Sequence, residues 1–444
     1  MNPLAPKLNA RRPRRQDGMA LVLVLLVIAV LALLGIAGTR SAQTELQMGQ
    51  KDVVGRQALS VAEAGINHAF SLISANVASR PNPPSACDTC WGFDSELSGG
   101  GTGGALASLG TTATLSGQSY RFRSFGGGTA DGYYVQAVDN YDETSGANNA
   151  TTDRDARIYL VSRGHVGSAE RIVTALVTGV PMFPVGVFGK TSVTFSGGAT
   201  MDGFDSRDGA YSAATAGNTA IRSDGNISVS GTNTVVKGDA TASGTVSAPV
   251  GGVTGTTTNG APAVTFPPVP ACGPPYSGST GISGTGYSYD ASTGVLTSTA
   301  NYATITLAGG TYCFNRITLQ SHAALQVSSP VNLYLTDVFD AFGGSVVNTT
   351  GIASNLKLFD SLVSTYKNNG TPNNPIQLSG GQQTAMAVYA PNAAVTFSGN
   401  SNFFGSVIAD YVDDSGGTPI HYDGSLENVL GSGAQLSGWH EVRN

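Results

Sequence analysis

Four cysteines, five histidines and three closely spaced aspartates are the residues of this chain best suited to chemistry. Cys87 and Cys90 stand as Cys-Asp-Thr-Cys, while Cys272 and Cys313 lie far downstream. A Cys-x-x-Cys pair suits zinc or a redox couple. No second such pair and no histidine pair lies at zinc-finger spacing, and no βαβ pattern surrounds it. An even number of cysteines in an exported domain reads instead as disulfides, with Cys87–Cys90 and Cys272–Cys313 as the sequence-near pairing. "DGFDSRDGAY" brings Asp202, Asp205 and Asp208 together, with Arg207 and Arg222 nearby. Such carboxylates could gather around calcium or form an acid/base pair. Their spacing matches no catalytic or metal motif, so a solvent-facing corner is the reading and no metal is assigned. The Asp/Asn-rich stretch 139–155 offers oxygen ligands for calcium but lacks EF-hand spacing; it reads as a solvated loop. His421 and Asp423 stand two apart in "PIHYDGSL" and would share one face of a strand, where a hydrogen bond supporting a turn is the plain reading. His68, His165, His322 and His440 complete no metal set. No G-x-S-x-G, P-loop or dinucleotide fingerprint occurs. No catalytic residue and no cofactor is assigned.

The elements that would position these residues are mostly strands. Charged residues make up only 12% of 444 residues while glycine numbers 59, a balance that favours short strands and tight turns over a helical enzyme. The net charge of -6 comes with no basic stripe beyond the N-terminus, which excludes nucleic acid as a partner. Four alternating runs, "QSYRFRSFG", "GYYVQAVDNYD", "ARIYLVSRGHVG" and "AERIVTALVTGV", predict a four-stranded antiparallel sheet. From about residue 184 the pattern changes. "VTFSG" occurs at 193–197 and again at 395–399, with relatives at 227–231, 376–380 and 434–438. Each is a short strand closed by a Ser-Gly turn, which predicts a coil of stacked strands. Residues 185–440 read as a right-handed parallel β-helix interrupted by a Pro-rich loop at about 249–290, with a β-sandwich as the alternative.

The N-terminus is different. Lys7, Arg11, Arg12, Arg14 and Arg15 precede an uncharged run over residues 19–37, long enough to cross a bilayer as a helix. The basic cluster predicts a cytoplasmic N-terminus. The apolar pattern then continues at helical spacing to about residue 74, past any signal-peptide boundary. "RRQDGMALVLVLLVIAVLALLG" resembles a type IV prepilin leader. "RQALSVAEAGINHAF", with Ala62, Glu63, Ala64 and Gly65, resembles the N-terminal region of PilX-like minor pilins. That resemblance covers residues 11–75. It implies cleavage between Gly18 and Met19 by a prepilin peptidase, methylation of the new amine, and entry of the helix into a pilus or pseudopilus core. Major pilins carry a glutamate at the fifth mature position, whose carboxylate meets a neighbour's amine in assembly; here that position is Leu23. Its loss implies an initiating or tip subunit. Residues 385–426 resemble, more loosely, a C-terminal module of surface proteins with PilX-like N-termini.

The expected fold class is therefore α+β, in four parts: a basic leader at 1–18, a transmembrane and filament-core helix at 19–80, a pilin-like headpiece sheet at 81–182, and a β-helix-like display domain at 183–444. The expected function is that of a minor pilin or pilus-assembly subunit, held in the bacterial inner membrane before it reaches the pilus or cell surface. Its partners would be other pilins, the inner-membrane assembly platform and the prepilin peptidase. The alternatives are a membrane-anchored carbohydrate-active β-helix enzyme and an uncleaved surface adhesin.

Overall fold

The computed structural model describes residues 17–79, 92–125, 131–141, 150–269, 272–320, 322–365, 372–373, 375–379, 384–399 and 401–442. One helix, α1 (Asp17–Ser79), opens the chain. Its first half is a run of Leu, Val, Ala and Ile with no side chain that competes for backbone hydrogen bonds. Its second half is amphipathic. Ala58, Ala62, Ile66, Ala69, Ile73 and Val77 are fully buried, a stripe at three- and four-residue spacing.

That stripe lies on an antiparallel sheet of β1 (Thr111–Leu115), β2 (Gln118–Ser124), β3 (Gly132–Asp139), β4 (Arg157–Val166) and β5 (Ala169–Pro181), closed at its far edge by the C-terminal strand Leu430–Val442. A short helix, α2 (Asp94–Gly101), adds Leu97 to the same core. The contact is close because small residues meet. A Cβ on Gly164 of β4 would run into the Ala58 carbonyl and the Ala62 amide; one on Gly65 would strike Ser162 and come 3.0 Å from the Tyr133 ring.

The second body is a parallel stack of short strands, and the chain enters it in the middle. β6 (Val187–Phe195) and β7 (Thr200–Phe204) form the first coil. Thr219–Ser223 and Asn226–Val229 pair with β6 on one side. Gly238–Ala242 and then Thr257–Thr258 continue outward. Residues 259–281 then carry the chain to the opposite end of the stack. Val264, Phe266 and Val269 pack on the way against the apolar cluster that holds Phe188, Phe359 and Tyr389, with the Phe266 ring centroid 4.5 Å from that of Phe188. At that end Tyr287–Asp290 and Ile282–Thr285 pair antiparallel with their neighbours. From there the strands build inward through Gly310–Phe314, Val331–Leu335 and Leu356–Asp360. The last ones, Phe403–Asp414 and Ile420–Asp423, dock in parallel onto β6 and β7. The stack is thus two half-stacks grown toward one seam.

The Ser-Gly repeats form one column of this stack. Ile376, Val395, Val412, Val193 and Ile227 lie in register on successive strands, and all are buried. Gly197, Gly231 and Gly399 turn the chain at positive φ, which glycine tolerates without strain. Two expectations need correction. The helix-packed sheet has six strands among the described residues rather than four, because β1 and Leu430–Val442 join it. The repeat at 434–438 consequently belongs to that sheet and not to the stack, so the display body does not extend to residue 444. Leu436 pairs with Val177 of β5; its alternation fits either environment, and the vacant edge of β5 takes it.

Candidate functional site

Every residue of α1 from 19 to 53 is exposed. At about 1.5 Å of rise per residue the helix projects roughly 50 Å beyond the body. Met19 is 80% exposed and Leu23 64%. Neither has an apolar neighbour outside the helix, so this half needs a membrane or other helices to cover it. The Ala-Glu-Ala-Gly motif divides by face. Ala62 and Gly65 are buried against the sheet, Ala64 is half-buried and Glu63 is exposed. The small residues set the helix-to-sheet distance. The partner glycine at 164 was not legible in the sequence, since nothing local marks which strand lies under the helix.

Cys272 and Cys313 are joined in a disulfide with Cα atoms 5.7 Å apart. The bond ties the 259–281 crossing, at Cys272, to the strand Gly310–Phe314. Cys87 and Cys90 lie outside the described residues. Asp202, Asp205 and Asp208 do not converge. Asp205 binds Arg207 twice, at 2.9 Å to Nε and 2.6 Å to Nη2. Arg207 also donates to the carbonyls of Arg154 and Gly424 at 3.1 Å each, pinning the stack to the headpiece. Asp208 pairs with Arg154 at 2.8 Å. Among the described residues no group of three His, Cys, Asp or Glu could hold a metal ion.

Asp202 does something else. Its Oδ1 lies 2.5 Å from Nδ1 of His421, and its Oδ2 accepts from Lys237 Nζ at 3.0 Å and from the Tyr211 hydroxyl at 3.1 Å. Asp202 and His421 are direct register partners across the seam. His421 and Asp423 do not pair with each other, and Asp423 makes the turn-supporting hydrogen bond, from the Ser425 N–H. Asp423 also accepts the backbone N–H groups of Ser206 and Ala353. The reason is geometric: a neighbouring coil lies closer than the second residue along one strand. Burial works to raise the Asp202 carboxyl, but hydrogen bonds from His421 and Lys237 outweigh it and hold the group below the usual carboxylate range. Burial and the adjacent Asp202 push the Tyr211 phenol up to about 12.

Three other carboxylates are buried with poorer partners. Burial pushes Asp153 up to about 8 and Asp360 and Asp414 up to about 7, against about 4 in an unfolded chain. These three groups therefore hold more protons in the folded chain than in the unfolded one between about pH 4 and 8. Their contribution to stability is greatest on the acid side of that window and falls as pH rises through it. Denaturant midpoints should be lower at pH 8 than at pH 5. Asp360→Asn keeps an acceptor for the Leu362 N–H and should remove part of that difference; an equal pH slope in both chains would refute the assignment.

The geometry defines a class: a body of two β-rich parts carried on one long helix whose outer half is uncovered. Residues 17–67 match the family model described as PilX N-terminal. Residues 315–429 match a domain of unknown function, DUF7305, which takes in the module at 385–426. The likeness to the PilX N-terminal family is thus confined to residues 17–67 of α1, and neither match spans half of the chain. No curated protein matches the chain. Among solved structures it is similar to the crystal structure of the competence-associated pilin ComZ from Thermus thermophilus. The identity is 13% and the TM-score 0.29, over 88% of this chain and 97% of that one. So slight a likeness bears on neither fold nor role.

Proposed function

We propose that the chain is a minor subunit of a type IV pilus-like filament. Prepilin peptidase cuts it between Gly18 and Met19, and the new amine is methylated. The helix holds the subunit in the inner membrane with its N-terminus cytoplasmic, and the assembly platform then draws it among the helices of other pilins. The observation that carries this reading is the continuity of α1: an uncovered apolar half runs without a break into a half locked onto a sheet. A removable signal has no use for such a joint, whereas a filament subunit needs its core helix rigidly joined to what it displays. Leu23 in place of the glutamate of major pilins supports an initiating or tip position. The parallel stack, taken as a right-handed β-helix, is the displayed part and serves adhesion or assembly.

The mature N-terminus decides the matter. Mass spectrometry of the chain from cells with and without active prepilin peptidase should find N-methyl-Met19 only when the peptidase is present. A chain that starts at Met1 in both, or after Ala42, would sink the filament reading and leave an anchored or secreted surface protein.

A further inference from the structure

The strand Ile420–Asp423 closes the seam by lying on β7. We propose that the buried Asp202–His421 pair is a register lock, which admits one alignment of these two strands where their apolar contacts alone would admit several.

Three observations lead there. First, the apolar pattern does not fix the alignment. Ile420 lies opposite Met201, and both are fully buried in the core of the stack. Side chains on a strand repeat every two residues. A slip by one residue would turn the core face outward, but a slip by two keeps it inward. Ile420 would then face Ala199, which is buried in the same core, or Gly203, which has no side chain to displace.

Second, the other face carries charge that only one alignment pairs. Asp202 Oδ1 lies 2.5 Å from His421 Nδ1. Slipped one way, Asp423 would stand opposite Asp202, and two carboxylates would meet. Slipped the other way, His421 would stand opposite Phe204 and Asp202 opposite Pro419. Either slip separates a buried pair, which is strongly destabilising. Asp202 also accepts from Lys237 at 3.0 Å and from Tyr211 at 3.1 Å, but both lie on its own half-stack. They hold the carboxylate in place and carry no information about the alignment.

Third, the pair is better built to discriminate than to stabilise. Asp202 and His421 are both buried. The rings of Tyr211, from one half-stack, and Phe404, from the other, lie over the imidazole with centroids 3.8 and 5.0 Å away. Its Nε2 is buried with no hydrogen-bond partner, a cost that apolar side chains would avoid. Apolar replacement of a buried ionic pair is often neutral or stabilising, and setting register is the best-attested use of such a pair. The inference does not depend on the filament reading, because every residue in it belongs to the stack.

The test uses the full chain in detergent, with isotope-labelled methionine methyl groups observed by NMR. Met201 is assigned from the resonance lost in Met201→Leu. Wild type should show one Met201 resonance. Asp202→Leu with His421→Leu should remain folded, and its Met201 signal should divide, the new resonances holding about a tenth or more of the intensity. Asp202→Ala with His421→Ala adds no bulk and serves in its place if the leucines do not fit. An undivided Met201 resonance in a folded double variant would overturn the proposal, since other contacts would then set the alignment. Loss of the fold in both double variants would overturn it as well, because the pair would then be holding the stack together.

Discussion

Replacing Gly164 by valine is expected to free the helix from the sheet. Gly164 lies on β4 directly beneath the turn of α1 that holds Ala58 and Ala62, and the atoms a side chain would meet there are backbone. Backbone cannot rotate aside as a side chain can, so the helix must lift. Lifting opens the whole stripe from Ala58 to Val77, all of it fully buried. Overpacking alone costs about 1–3 kcal/mol, and the lost burial adds to it, so a loss above about 3 kcal/mol is expected. Gly49→Ala provides the contrast. That glycine is on the projecting half with nothing within 4 Å, where alanine should stabilise the helix by up to about 1 kcal/mol. Urea unfolding of the two full-length variants in detergent measures both. If Gly164→Val unfolds at the wild-type midpoint, the close helix-to-sheet contact is wrong.

Removing the Cys272–Cys313 disulfide is expected to have an effect of similar size. The bond closes a sequence separation of 41 residues, for which the chain-entropy account gives about 4 kcal/mol. What it holds matters as much. The 259–281 crossing is the covalent link between the half-stacks, and its Phe266 packs on Phe188 of the seam strand β6. It lies on the surface through Phe266 and a hydrogen bond from the Tyr389 hydroxyl to the Pro267 carbonyl at 2.5 Å. A double variant, Cys272→Ser with Cys313→Ser, should unfold at clearly lower denaturant. The crossing should also become accessible to protease before the rest of the stack. Wild type treated with reductant should move toward the variant, and the variant should not respond to reductant at this bond. A midpoint unchanged in the variant would show that the apolar contacts alone hold the crossing in place.

The buried Asp202–His421 pair shows how a site can be half legible. Both residues stand out in the sequence, Asp202 for its neighbouring carboxylates and His421 for Asp423. Asp202 reads in the sequence as part of a solvent-facing corner and is instead buried, and His421, which stands beside Asp423 in sequence, bonds Asp202, because sequence proximity was the only measure of distance. The pair forms because β7 and Ile420–Asp423 lie side by side, with 219 positions between the two residues.

By itself the sequence determined what short-range periodicity controls. The helix follows from an apolar run that passes into a stripe at three- and four-residue spacing, and β2 to β5 follow from strict alternation. The column of Ser-Gly repeats follows from a strand pattern closed by a residue free to adopt positive φ. Tertiary structure decided everything that rests on which strand meets which. A strand ending in "LSG" suits the stack or the helix-packed sheet equally well; Ile376–Ser379 went to one and Leu430–Val442 to the other. The growth of the stack from both ends toward a seam, the glycine beneath the helix and the imidazole beneath the rings were hidden for the same reason. A strand's hydrogen bonds and one of its faces are satisfied by segments far away in sequence, and local patterning carries no record of their address.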